Sequence, residues 1–308
     1  MFDSLKDWLK ELIELSFKGM NETVKETVEI LSSQDGLWVE MMDMVRGENG
    51  GVNVLQPFCY TIVGICLLIE LAQTASKVDV MKWENGLKIG IKMVLAKVCI
   101  DEAPKFLEAC YLQALKWIET FADEAKAFNF DSALATVCTW CVNNVSGMGS
   151  ILGLFVIITL IFLGISVCTI IIKMTAYGRM FEIYSYLIVS PLPFAFLPLG
   201  TGDGFAINRM TANFIKNYIA ACMQGVMMVI ALYIYKKMFA VDKLLDQAKI
   251  IASAIWSLVL NWANNDLGSA VLMSSIMEMS FFMLMHAILQ VVIVTKCSSL
   301  AKSMINAM

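Results

Sequence analysis

Residues 149–174 read "GSILGLFVIITLIFLGISVCTIIIKM", and they decide the fold class. No charge interrupts the run from Gly149 to Ile172. About 20 consecutive apolar residues are enough for a helix to cross the hydrocarbon core of a bilayer. The rest of the 308-residue chain shares this character: it is 58% hydrophobic and 16% charged, with a mean hydropathy of +0.70. A soluble domain carries about 25% charged residues. An outer-membrane barrel needs many alternating segments of about 10 residues, and the sequence has few such alternations. The expected fold is therefore all-α: a polytopic helical membrane protein with five or six spans.

Working outward, the first span is expected at about 54–73, with Pro57 in its first turn, where proline is tolerated. Others are expected at 213–235 and at about 271–294. Residues 84–103 are ambiguous, because a lysine in mid-span costs about 2.5–3.5 kcal/mol while each large aliphatic residue returns about 0.3–0.6. Lys88 and Lys92 can snorkel from one end, but Lys97 points the other way. This segment either inserts with help or lies in the interface. A moderately apolar, helix-like piece is expected at 250–263.

Residues 1–31 read as an amphipathic helix. Leu5, Trp8, Leu9, Leu12, Leu15, Met20, Val24, Val28 and Leu31 form the apolar face. Asp7, Glu11, Glu14, Glu22, Glu26 and Glu29 dominate the other face, which does not suit anionic lipid. The segment mixes acids with bases and has no uninterrupted apolar core, so it does not read as a signal peptide. The glycine-rich "RGENGGVN" (46–53) reads as a linker. The chain thus divides into an N-terminal helix and linker, 1–52, and a membrane domain, 53–308.

The loop 101–148 carries seven acids and three bases. Lys173 and Arg179 follow the uncharged run of the third span (149–174), and Lys236, Lys237, Lys243 and Lys249 follow the span 213–235. By the positive-inside rule 101–148 is external, whereas 173–182 and the loop 236–269 are cytoplasmic. The N-terminus is then outside if 84–103 spans and inside if it lies flat.

One apolar segment, about 183–200, is broken. "SPLPFAFLPLGTGDG" (190–204) holds three of the five prolines and then three glycines. Proline removes a backbone donor and disfavours helix in the residue before it. Carbonyls freed in this way must meet protein or water. "GTGD" (200–203) matches the G-x-G-D pattern of intramembrane aspartyl proteases, but that chemistry needs a second aspartate inside a span. Asp79, Asp101, Asp242, Asp246 and Asp266 all lie in loops or at ends, so a polar turn is the simpler reading.

No other catalytic pattern appears. The single histidine, His286, lies in a span and is read as packed against a neighbouring helix. There is no H-E-x-x-H, P-loop, dinucleotide fingerprint or G-x-S-x-G. Cys138 and Cys141 form one C-x-x-C without the second pair a zinc site needs. No catalytic residue, metal site or cofactor is expected. The net charge of −4 leaves no general nucleic-acid footprint.

Two polar features fall inside spans. Asn213, Lys216, Asn217 and Gln224 share one helical face, suited to a wet path or to hydrogen bonds between helices. Glu278 is an intramembrane acid, a functional candidate by default or else the partner of Lys216 in a structural ion pair. "GLKIG" (86–90) has the G-x-x-x-G spacing, but an internal lysine makes it a poor helix-dimer motif.

The region 180–230 resembles the TrbL-type membrane proteins of type IV secretion and conjugation. The resemblance rests on a proline-centred segment followed by a short polar glycine turn and a helix opening with Asn, Lys and aromatics. The matching positions are Ser190, Pro191, Phe194, Phe196 and Pro198, then Phe214 and Tyr218. Pro193, Gly200 and Gly202 complete the broken-helix motif. The chain departs from the family in being short, with an acidic N-terminal helix and no large external domain.

This resemblance implies a non-enzymatic channel or platform subunit, multi-pass in the cytoplasmic membrane and homo-oligomeric. Its implied partners are a secretion ATPase, a coupling protein and small membrane subunits. Its implied cargo is single-stranded DNA with a bound relaxase. The break would then turn its carbonyls toward other subunits or a water-filled path. A small-solute transporter is the alternative, disfavoured because a paired, inverted counterpart of the broken segment is missing.

Overall fold

The computed structural model describes residues 2–32, 37–47, 50–76, 83–126, 139, 142–143, 148–199, 209–238 and 268–306. Among these the chain is helical and contains no strand. The helices are α1 (Phe2–Ser32), α2 (Leu37–Arg46), α3 (Gly51–Ser76), α4 (Trp83–Lys126), α5 (Met148–Val189), α6 (Pro191–Ala195), α7 (Arg209–Met238) and α8 (Gly268–Asn306). A 3-10 turn, Leu197–Leu199, follows α6. Among the described residues, four stretches are long and apolar enough to cross a membrane: Glu40–Gln73, Ile151–Ala195, Arg209–Tyr235 and Ile276–Ile305.

The structure changes several expected boundaries. The third span and the start of the broken segment are one helix, the 42-residue α5. Residues 173–182, expected on the cytoplasmic side, continue it without interruption. They hold no proline and one glycine, and Arg179 bonds Glu182 one turn on at 2.5 Å, which supports the helix. The segment 101–148, expected as an external loop, begins as helix: α4 runs through Pro104 to Lys126. The glycine linker is shorter than 46–53, since α3 already starts at Gly51. The helix-like piece 250–263 and most of the loop 236–269 lie outside the described residues.

The chain forms two compact units. The first comprises Met1–Leu31, Glu119–Tyr177 and Met228–Cys297. In it α1 buries Leu9, Ile13, Phe17, Met20, Val24, Val28 and Leu31. The buried stripe is rotated from the expected one: Trp8 and Leu15 are exposed, while Ser16, Thr23 and Thr27 are buried. Small hydroxyl residues fit at this packed face because each bonds a carbonyl one turn back. Ser16 reaches Leu12 at 2.8 Å and Thr27 reaches Thr23 at 2.6 Å. Farther along the chain Tyr235 and His286 meet, with the phenol oxygen 2.6 Å from Nδ1 and Phe282 edge-on to the imidazole.

The second unit comprises Ser32–Ile118, Gly178–Met227 and Ser298–Met308. Its frame is an antiparallel hairpin of α3 and the first half of α4. Lys92 pairs with Glu70, and the Tyr60 hydroxyl donates to Asp101, so one number rises as the other falls. Cys59, Val63, Ala96, Ile100 and Ala103 are buried together in this hairpin. The ambiguous segment 84–103 therefore lies along the first span with one lysine neutralised there, which is the help its composition demands.

Candidate functional site

The proline break lies in the second unit. α5 stops at Val189 because Pro191 and Pro193 cannot donate to the preceding turn. Ser190 is fully buried, and its backbone N–H and hydroxyl both donate to the Leu187 carbonyl, at 3.3 and 2.7 Å. Pro191, with its preset φ, then opens the short α6. Pro191, Pro193, Phe194 and Pro198 are buried, and Phe196 is half-buried.

Phe194 and Ala195 complete the apolar cluster of Cys59, Val63, Ala96, Ile100 and Ala103, with Leu192, Leu197 and Ile215 packed against it. The break is thus seated on the α3–α4 hairpin. The carbonyl of Pro193 accepts a hydrogen bond from the Thr211 hydroxyl of α7 at 2.8 Å. A donor from the same chain satisfies this group, as a buried carbonyl requires.

α7 is tied to this seat by aromatic residues. Tyr186 of α5 meets Phe214 and Tyr218 edge-on, with ring centroids 5.5 and 6.1 Å apart. The Tyr218 hydroxyl donates to the Leu107 carbonyl of α4 at 2.6 Å. Phe214 and Tyr218 were legible as part of the motif. Tyr186 and Thr211 were not, because neither belongs to the proline pattern and only packing brings them to it.

The polar stripe is not one surface. Asn213, Lys216 and Asn217 are exposed, whereas Gln224 is fully buried. Burial changes along this face of α7, so four residues on one face meet two environments. Neither amide atom of Gln224 has a hydrogen-bond partner among the described residues. Glu278 is exposed on α8. Gly200 and Gly202 lie outside the described residues, as do Asp203, Cys138 and Cys141. Among the described residues no group of His, Cys, Asp and Glu could hold a metal ion.

The arrangement can hold the proline-interrupted joint, a short helix followed by a 3-10 turn, in place inside a helical membrane protein. A family model described as "TrbL/VirB6 plasmid conjugal transfer like protein" matches residues 20–191, more than half of the chain. That match takes in α2, α3, α4 and α5 and ends at Pro191. No curated protein and no solved structure matches the chain.

Proposed function

The chain belongs to the TrbL/VirB6 plasmid conjugal transfer-like family, and we propose that it is a channel or platform subunit that helps single-stranded DNA, with its bound relaxase, across the cytoplasmic membrane. Membership makes it a membrane subunit of a multi-component conjugal-transfer or type IV secretion machine. In this reading its role is structural. Copies of the chain associate, a secretion ATPase supplies the energy, and a coupling protein and small membrane subunits complete the path.

One observation carries the reading. The proline break is a built joint, buried on the α3–α4 hairpin and bonded from α7. Such a joint keeps a short helix and a 3-10 turn, set off from α5 by proline, at a fixed place in a membrane protein. The test is the double substitution Pro191→Ala/Pro193→Ala, which restores two donors and lets α5 continue past Ser190. The expected result is normal membrane abundance with reduced transfer of a conjugative element. Asp203→Asn is the control and is expected to transfer normally. Normal transfer by the proline variant, with loss in Asp203→Asn, would overturn the reading.

A further inference from the structure

Helix α1 runs beside the uncharged span of α5. Three contacts within the first unit set the register. Lys6 Nζ donates to the Asn143 carbonyl at 2.8 Å, the Thr23 and Thr169 hydroxyls lie 3.2 Å apart, and Glu26 pairs with Lys173. The residue numbers rise together, so the two segments are parallel. From Lys6 to Glu26 α1 covers about 30 Å, the thickness of the hydrocarbon core. Asn143 precedes the uncharged run 149–172 and Lys173 ends it, so α1 accompanies that run over its whole length.

The two helices present opposite surfaces. On α5, Ile151, Leu154, Ile158, Ile161 and Ile165 are buried, while Leu152, Val156, Leu160, Leu163 and Val167 are exposed. That exposed side is a surface for lipid. On α1 Leu9, Ile13, Phe17, Met20, Val24 and Val28 are buried, and Glu11, Glu14, Lys18, Glu22 and Lys25 face outward together with Trp8 and Leu15. An acid at membrane depth costs about 2.5–3.5 kcal/mol on insertion scales, several times what one aliphatic residue returns. The Lys18–Glu22 pair, at 3.7 Å and with both side chains more than half exposed, does not remove that cost. A face with this charge cannot meet acyl chains along the length of a span.

We propose that the outer face of α1 lines a water-filled passage at membrane depth, with lipid confined to the opposite side at Leu152, Val156, Leu160 and Leu163. Glu11, Glu14 and Glu22 outnumber Lys18 and Lys25, so the wall is net negative and concentrates cations. The passage rests on the channel-subunit reading above, whatever cargo the machine moves.

The test uses the full-length chain in proteoliposomes. A nitroxide is attached through p-azidophenylalanine, which leaves the native cysteines in place, at positions 14, 18 and 22 on α1 and at position 160 on α5. Collision rates are measured with a water-soluble nickel chelate and with oxygen, which partitions into lipid. The expected result is chelate collisions several-fold more frequent at 14, 18 and 22 than at 160, and oxygen collisions in the reverse order. The lipid pattern at 160 shows that the span has inserted. The lipid pattern at 14, 18 and 22 would overturn the proposal, and so would low accessibility to both reagents, which marks a face covered by protein.

Discussion

The Thr211 hydroxyl donates to the Pro193 carbonyl at 2.8 Å, and both residues are buried. This bond links the proline break to the helix that follows it. Thr211→Val keeps the shape and leaves a buried carbonyl without its donor, at a cost of about 1–3 kcal/mol. The expected outcome is a lower melting temperature for Thr211→Val in detergent or nanodiscs and a near-normal one for Thr211→Ser. Equal melting temperatures for the valine variant and the parent would show that the bond does not hold the joint.

Glu70 and Lys92 give a second test. Their side chains are 17% and 23% exposed, and each neutralises the other between α3 and α4. Glu70→Leu alone leaves the Lys92 charge stranded in an apolar hairpin, which is expected to lower the yield of folded, membrane-inserted protein. The double variant Glu70→Leu/Lys92→Leu is expected to recover it, because a buried pair replaced by apolar residues is often neutral. A strictly additive double-mutant cycle would argue against a pair at membrane depth.

Tyr235 and His286 test the first unit. Tyr235→Phe removes the hydroxyl that lies 2.6 Å from Nδ1 and keeps the ring. A loss of about 1 kcal/mol is expected. Combined with His286→Leu it should cost less than the sum of the single changes, which differential scanning fluorimetry with both singles can read.

Gly51 and Ile188 approach so closely that a Cβ on Gly51 would lie 2.9 Å from Cγ2 of Ile188. That methyl is fixed on a β-branched side chain and cannot swing away. Gly51→Ala is therefore expected to destabilise the second unit, despite the helix propensity it gains, and Ile188→Ala is expected to relieve it. Greater thermal stability of Gly51→Ala alone would show that this contact is looser than described.

The reach of sequence reasoning differs between particular residues. The run 149–172 was legible as a span because its hydropathy needs no partner to interpret. The break at Pro191 was legible because proline acts on its own backbone and on the residue before it. Lys92 was not legible: its composition said only that help was needed, and Glu70 lies in another helix. The stripe from Asn213 to Gln224 was read as one face because periodicity reports direction around a helix, whereas burial also depends on position along it.

The sequence by itself determined the helical, membrane-spanning class, the amphipathic character of α1 and the place where α5 must end. These are local properties, set by transfer free energy, helical periodicity and the covalent geometry of proline. Only the tertiary structure decided that residues 173–182 continue α5, that the broken segment packs on the α3–α4 hairpin, and that α1 follows the span over its length. Each of these depends on groups distant in sequence meeting in space, and hydropathy alone records what a residue avoids without recording what it touches.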